Sequence, residues 1–374
     1  MLENEPRGYS WGSRTLIPAL QGRPAGDDPE AEVWFGDHPA DPAALADGRS
    51  LEEVRAARGP LPFLLKILAA SSSLSIQAHP SRDEAQAGFA REEAAGIPRD
   101  AGERTYRDAN HKPEIIVALS DTFRALVGLR PLEGTRDLLA RLGDRPGILA
   151  LAARLAGDDE ARLLKAVLGD VLSGGMTDTV ADLAAALADP DLDAGPFEAE
   201  IDVLRGVARD FPGDPGLVVA LLMNLVVLHA GEGVFAPAGV LHAYQDGLGV
   251  ELMAASDNVL RGGLTPKHVD VAELLRVVDT TTGSAPVITP RRDGEVDVYD
   301  VPVSDFVLER IRPGAGLRHP LDGPAIVLGA AGTVEVSARD AVVTVTPGHA
   351  AYADDEDAVL LRGDGTVFLA RGGR

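Results

Sequence analysis

The sequence predicts a mainly β protein carrying an inserted α-helical domain. Three observations lead there: short apolar runs bounded by turn residues in the first third of the chain, helical periodicity confined to the middle, and a C-terminal stretch of regularly spaced short strands. A chain of 374 residues exceeds one ordinary domain and fits two or three. Up to about residue 125, AEVWFG, PFLLKIL, SLSIQ and EIIVAL have strand length and lie between Gly, Pro, Asp and Ser. One amphipathic helix is expected in DEAQAGFAREEAAG, with Ser81 as its N-cap. From about 130 to 223 the period changes. TRDLLARL, ILALAARLA, EARLLKAVLGDVL, TVADLAAALA and AEIDVLRGVARDF place Leu, Ala and Val at i, i+3 and i+4, as a helical insertion requires. Strand texture returns over Val226 to Leu252. It then dominates the end of the chain in FVLERI, AIVLGA, TVEVSA, AVVTVT, AVLLRG and TVFLAR, a spacing that suggests a β-sandwich or jelly roll. The expected units are residues 1–128 with 224–278, a helical insertion over 129–223, and a C-terminal jelly-roll domain over 279–374.

Composition excludes several classes of function. Hydrophobic residues make up 45% and charged residues 25%, the balance of a globular chain that needs no staples. A formal net charge of −23 repels nucleic acid and anionic lipid, so neither is an expected partner. Any site for an anionic substrate must then be a local cluster of Lys and Arg. With no cysteine, disulfides, thiolate metal sites and thiol nucleophiles are ruled out. The start MLENEPRGYSWGS lacks the pattern of a signal peptide, and the apolar run from Leu217 to Leu228 is too short for a span of ~20 residues. The expected location is the cytoplasm.

Four segments carry the chemistry. In Ser75-Ile76-Gln77-Ala78-His79-Pro80, a strand would turn Gln77 and His79 to one face, where both could reach one metal ion. Taken alone, the segment reads rather as a half-buried strand with ordinary polar residues. The run YRDANHKPE leads into the strand IIVAL, and Glu114 is the natural third ligand; His111 is read as a hydrogen-bonding partner. Pro237-Ala238-Gly239-Val240-Leu241-His242 makes a tight turn into a strand whose first inward residue is His, matching half of the cupin metal signature. Gln77, His79, Glu114 and His242 together suit a borderline divalent ion such as zinc, one per chain. The fourth segment, from Gly249 to Lys267, brings Glu251, Asp257, Arg261 and Lys267 close behind His242; otherwise it would be a solvated charged loop.

With these pieces in order, the sequence resembles the type I phosphomannose isomerases of the cupin superfamily. The matching stretches are WGS, PEAEVWFGDHP, LPFLLKILAASSSLSIQAHP, GFAREEAAGIP, YRDANHKPE and FAPAGVLHAYQDGLGVELMAASDNVLRGGLTPKHVDV. They are dense over about 1–120 and 224–272, while the helical middle and the C-terminal stretch agree in texture only. The resemblance implies a zinc-centred catalytic cupin domain, double-stranded β-helix in form, that interconverts mannose 6-phosphate and fructose 6-phosphate. It carries Gln77, His79, Glu114 and His242 over as ligands and Arg261 as catalytic. It also points to Ser75 and Lys66 as phosphate contacts, and to Lys112, Glu251 and Lys267 as pocket residues.

Without the resemblance, Lys66 reads as a lysine snorkelling from a strand. An enediol(ate) intermediate needs a stabilised oxyanion, a role suited to the permanently charged Arg261. It also needs a proton carrier, for which Glu251, Lys112 and Lys267 are the candidates. Trp34 and His38 are expected at a domain seam, and His229, His268, His319 and His349 as structural residues. The expected partner is a small sugar phosphate, the expected state a monomer, and nucleotide cofactors lack a motif. Two rival readings are an iron-dependent cupin oxygenase and a non-catalytic sugar-phosphate-binding cupin.

Overall fold

The long strand His242–Ala254 organises the fold. In the computed structural model, which describes residues 1–339 and 341–373, four strands pair antiparallel with it. Gln77–Ala78 and Thr122–Leu129 flank its first part, Phe63–Ala70 and Glu114–Ala118 its second. A register shift between Tyr244 and Asp246 separates the two parts. Such a bulge bends a strand and adds twist, which lets one strand serve both halves of a curved sheet. With further short strands the sheet reaches ten members.

An eight-stranded sheet packs against it, built from strands between Arg291 and Gly372 together with Leu2–Glu3 and Ala44–Leu45. A four-stranded sheet of Gly314–Pro320, Val334–Ala338, Ala341–Val345 and Ala358–Gly363 completes the C-terminal region. The chain is mainly antiparallel β with a block of helices in the middle, as the sequence predicts.

The helices follow the periodic stretches: Leu132–Arg141, Pro146–Arg154, Glu160–Leu172, Thr177–Leu187 and Glu198–Asp210. Arg82–Ala94 starts at Ser81, whose hydroxyl and Glu84 close a reciprocal capping box. The helix Gly216–Leu222 was not legible: it lies inside the apolar run, and all seven of its residues are buried, so no polar face marks a period. The same run becomes strand at Met223.

Period-two alternation sorts the central sheet into two faces. Outward, Ile67, Ile115, Val250 and Leu252 join one core with Tyr299, Phe306 and Phe368 of the C-terminal sheet. Inward, Leu68, Ile116, Phe123 and Tyr244 form another. The inward row also holds charge, because Trp34 pairs with Lys66, Lys66 with Glu251, and Glu251 with Ile116. Trp34, expected at a seam, is thus a buried interior residue beside Leu64 and Met253. The helical block packs Leu217 to Leu222 against Ile76, Leu241 and Leu260, directly behind the strands that bear the site. Among the described residues, no helix is long and apolar enough to cross a membrane.

Candidate active site

His79, Glu114 and His242 come from three separate strands or strand ends, yet their donor atoms all lie within 4.8 Å of one another. The register explains the convergence. His242 pairs with Gln77, two residues before His79, while Met253 on the same long strand pairs with Glu114. Gly239 shapes the turn before His242. It sits at φ 80°, and a Cβ there would stand 2.9 Å from the Val277 carbonyl oxygen. Its N–H donates to the His79 carbonyl at 2.8 Å, tying the turn to the opposite ligand.

Both imidazoles are oriented from behind. Nδ1 of His79 lies 2.7 Å from the Asn258 carbonyl oxygen, and Nδ1 of His242 lies 3.0 Å from that of Val240. A carbonyl only accepts, so each Nδ1 carries the proton and each Nε2 presents a lone pair. Those Nε2 atoms are buried and make no hydrogen bond. They stand 3.3 and 2.9 Å from the two oxygens of Glu114, acceptor facing acceptor. Such an arrangement is costly until a cation sits in the middle.

The two imidazoles differ in protonation: burial would lower His242, but the facing Glu114 carboxylate outweighs it and raises its pKa. Burial, then the nearby Lys112 ammonium, lowers His79 to about 4, so it is neutral at pH 7. Burial would raise the Glu114 carboxyl, but the Lys112 ammonium heads the causes that hold it well below the usual range. Lys112 lies 3.3 Å from Glu114.

Next to the triad, on the inward face, Lys66 is buried 2.9 Å from Glu251 and 3.7 Å from Glu32. Its ammonium also stands 5.0 Å over the Trp34 ring. Burial raises the Glu251 carboxyl; Lys66 opposes this, while Glu114 and Glu32 add to it. Ser75 is elsewhere: its Oγ accepts from Arg261 at 3.0 Å and from the Gln77 amide at 3.3 Å.

Arg261 pairs with Gln77 in the sheet, so Gln77 stands between Arg261 and His242. Gln77 and Arg261 line a cavity of ≈ 790 Å³ whose wall also holds Tyr9, Arg107, Lys267 and His268. The sequence reading singled out neither Tyr9 nor Arg107. Both lie within the quoted GYSWGS and YRDANHKPE segments, but nothing in spacing marks them as cavity residues. His268, expected to be structural, is part of the same wall. His111 turns to Asp305, with Nε2 2.8 Å from the carboxylate.

A family model described as phosphomannose isomerase type I, catalytic domain, matches residues 1–132. The chain is 36% identical over 326 residues to the mannose-6-phosphate isomerase of Escherichia coli (strain K12), covering 82% of this chain and 81% of that protein. It is 31% identical over 351 residues to the Homo sapiens mannose-6-phosphate isomerase, covering 84% and 80% respectively. A solved mannose 6-phosphate isomerase from Salmonella typhimurium, in its apo form, matches with a TM-score of 0.88 at 31% identity, covering 100% of this chain and 98% of that one. Another, bound with zinc and yttrium, matches with a TM-score of 0.88 at 32% identity, covering 100% and 99%. With identity above 30% over most of both chains, and one fold shared along their length, the chain belongs to the type I phosphomannose isomerases, cupin-fold mannose-6-phosphate isomerases with a helical domain.

Proposed function

We propose that this isomerase is zinc dependent, with Gln77, His79, Glu114 and His242 holding the ion, and that it works through an enediol(ate). One observation carries the reading: two buried His Nε2 atoms without a hydrogen-bond partner, both facing one carboxylate. Two imidazole nitrogens, one carboxylate and one amide oxygen suit zinc. A structural neighbour bound with zinc supports the choice of metal. When bound, zinc with a single anionic ligand supplies net positive charge that polarises the substrate oxygens.

The remaining steps belong to the chain. Glu251 takes the proton from C2 of the aldose and returns it at C1 to give the ketose. Its pKa, raised by burial, moves the carboxylate toward the range of an efficient base. Lys66 holds Glu251 in place and balances its charge. Lys112 serves the hydroxyl protons. Arg261, anchored on Ser75, lends permanent positive charge to the oxygens of the intermediate. In this reading residues 1–128 with 224–278 form the catalytic unit, 129–223 the helical insertion and 279–374 the C-terminal jelly roll.

The test is conversion of mannose 6-phosphate to fructose 6-phosphate by metal-stripped and zinc-restored protein, beside His79→Ala and Arg261→Ala. Turnover restored by zinc, lost in both variants while Arg261→Ala still binds one zinc, is the expected result. Full turnover by protein verified as zinc-free would overturn the metal assignment.

A further inference from the structure

We propose that Arg107 and Lys267, beside the Arg261–Ser75 pair, form the phosphate grip of the cavity and select for phosphorylated sugars. The inference rests on the isomerase reading and moves the phosphate away from Lys66. Three facts about charge carry it.

First, Lys66 is already neutralised. Two carboxylates lie within 3.7 Å of its buried ammonium, and binding a dianion there would require displacing them. Second, Arg107, Arg261 and Lys267 share the wall of one cavity, and among the described residues none of their side chains forms an ion pair with a carboxylate. In a chain with 58 acidic and 35 basic side chains, leaving three cations unpaired in one place is unusual. They also act on one another: burial and Arg107 lower Arg261, and Arg261 heads the causes that lower Lys267. Mutual repulsion of this kind is relieved by an anion between the groups.

Third, the carboxylates in the same wall are mostly occupied. Asp270 caps a helix through the Glu273 N–H at 2.9 Å, and Asp257 faces His38 at 3.2 Å, which leaves Glu103, an exposed residue. Arg107 is held only through its backbone, whose N–H donates to the Asn258 side chain at 2.7 Å, so its guanidinium is free to bind. Gln77, in the same wall, lies between these cations and His242, so a hexose phosphate would run from the cation cluster toward the metal donors.

The probe is inorganic phosphate, followed by calorimetry on the zinc-loaded protein and as a competitive inhibitor. Loss of one charge-assisted contact weakens binding by roughly tenfold to a hundredfold. Arg107→Gln and Lys267→Gln are each expected to lose phosphate affinity by that factor, with an unchanged melting temperature. Arg107→Gln should raise KM for mannose 6-phosphate by a similar factor with a smaller change in kcat, and Arg107→Lys should recover part of the loss. Phosphate affinity unchanged in Arg107→Gln, or lost only in Lys66→Met, would overturn the assignment. Because calorimetry needs no turnover, a protein that binds phosphate through Arg107 yet fails to isomerise would sink the catalytic reading and leave the grip standing.

Discussion

The backbone carbonyl of Asn258 holds Nδ1 of His79 at 2.7 Å, while the Asn258 side chain binds the loop that leads to Glu114. Its Oδ1 accepts from the N–H groups of Arg107 and Asp108 at 2.7 and 3.2 Å, and its amide donates to the carbonyls of Asp108 and Asn110 at 2.9 and 2.8 Å. The residue is fully buried. One asparagine therefore couples the orientation of one ligand to the path of the segment delivering another. The density of polar residues in YRDANHKPE and SDNVLRGG is explained by their hydrogen bonding to each other.

Replacing Asn258 with Ala removes those four side-chain bonds and strands buried backbone groups. The expected cost is at least about 1–3 kcal/mol of stability, the penalty for an unsatisfied buried group. Zinc affinity should drop by roughly tenfold to a hundredfold, as for other residues that orient ligands. Urea unfolding with and without zinc, with metal titration, measures both. Unaltered zinc affinity would show that His79 is oriented without this loop.

Glu251→Gln keeps the size of the proposed base and removes its basicity. The expected fall in kcat is roughly a hundredfold to ten-thousandfold. Zinc content should stay at one per chain, since Glu251 is not among the clustered donors. Deuterium uptake from solvent into the substrate during turnover should fall with kcat. If exchange persists while isomerisation is lost, another group moves the proton.

Sequence and structure agree most where a pattern is local. The five periodic helices and the Ser81 cap were legible because each depends on residues within one or two turns of it. The donors were legible in part from strand parity at Gln77 and His79 and the turn before His242. What spacing cannot show is register between distant strands. Lys66 pairs with Glu251 across 185 positions of sequence, so nothing local announces that its charge is spent. Arg107 presents the opposite problem: its role lies in the carboxylate it does not meet.

Acid should expose a second buried network. Glu273 accepts from Tyr106, Arg91 and Arg276, and although burial would raise its pKa, these hydrogen bonds bring it down to about 2. An unfolded glutamate titrates near ~4.3, so between that value and about 2 the unfolded chain binds more protons than the folded one. The stabilisation by Glu273 is thus complete above about pH 5 and is lost as pH falls toward 2. Glu273→Gln should be less stable than wild type at pH 7, with the gap closing below pH ~4. A gap of constant size down to pH ~3 would contradict the assignment.

The last prediction concerns how the helical segment reaches the cavity. Asp214, just before the helix Gly216–Leu222, accepts through Oδ1 from Gly216 N–H at 2.7 Å and Leu264 N–H at 2.9 Å, and through Oδ2 from Thr265 N–H at 3.2 Å. Leu264 is a buried residue at φ 55°, a conformation that costs about 1–3 kcal/mol unless its surroundings enforce it. Gly263 before it has φ 114°, and a Cβ there would stand 2.5 Å from the Gly216 Cα, so the two segments are in backbone contact. Asp214 thus holds a strained turn three residues ahead of Lys267. Asp214→Ala should release the turn and lower stability by about 1–3 kcal/mol, because buried N–H groups lose their acceptor. KM for mannose 6-phosphate should rise while zinc content is unchanged, since Lys267 is displaced and the donors are not. Asp214→Asn, which keeps an acceptor oxygen, should fall between. A loss of stability in Asp214→Ala without any change in KM would mean that Lys267 is positioned by its own loop, independently of the helical segment.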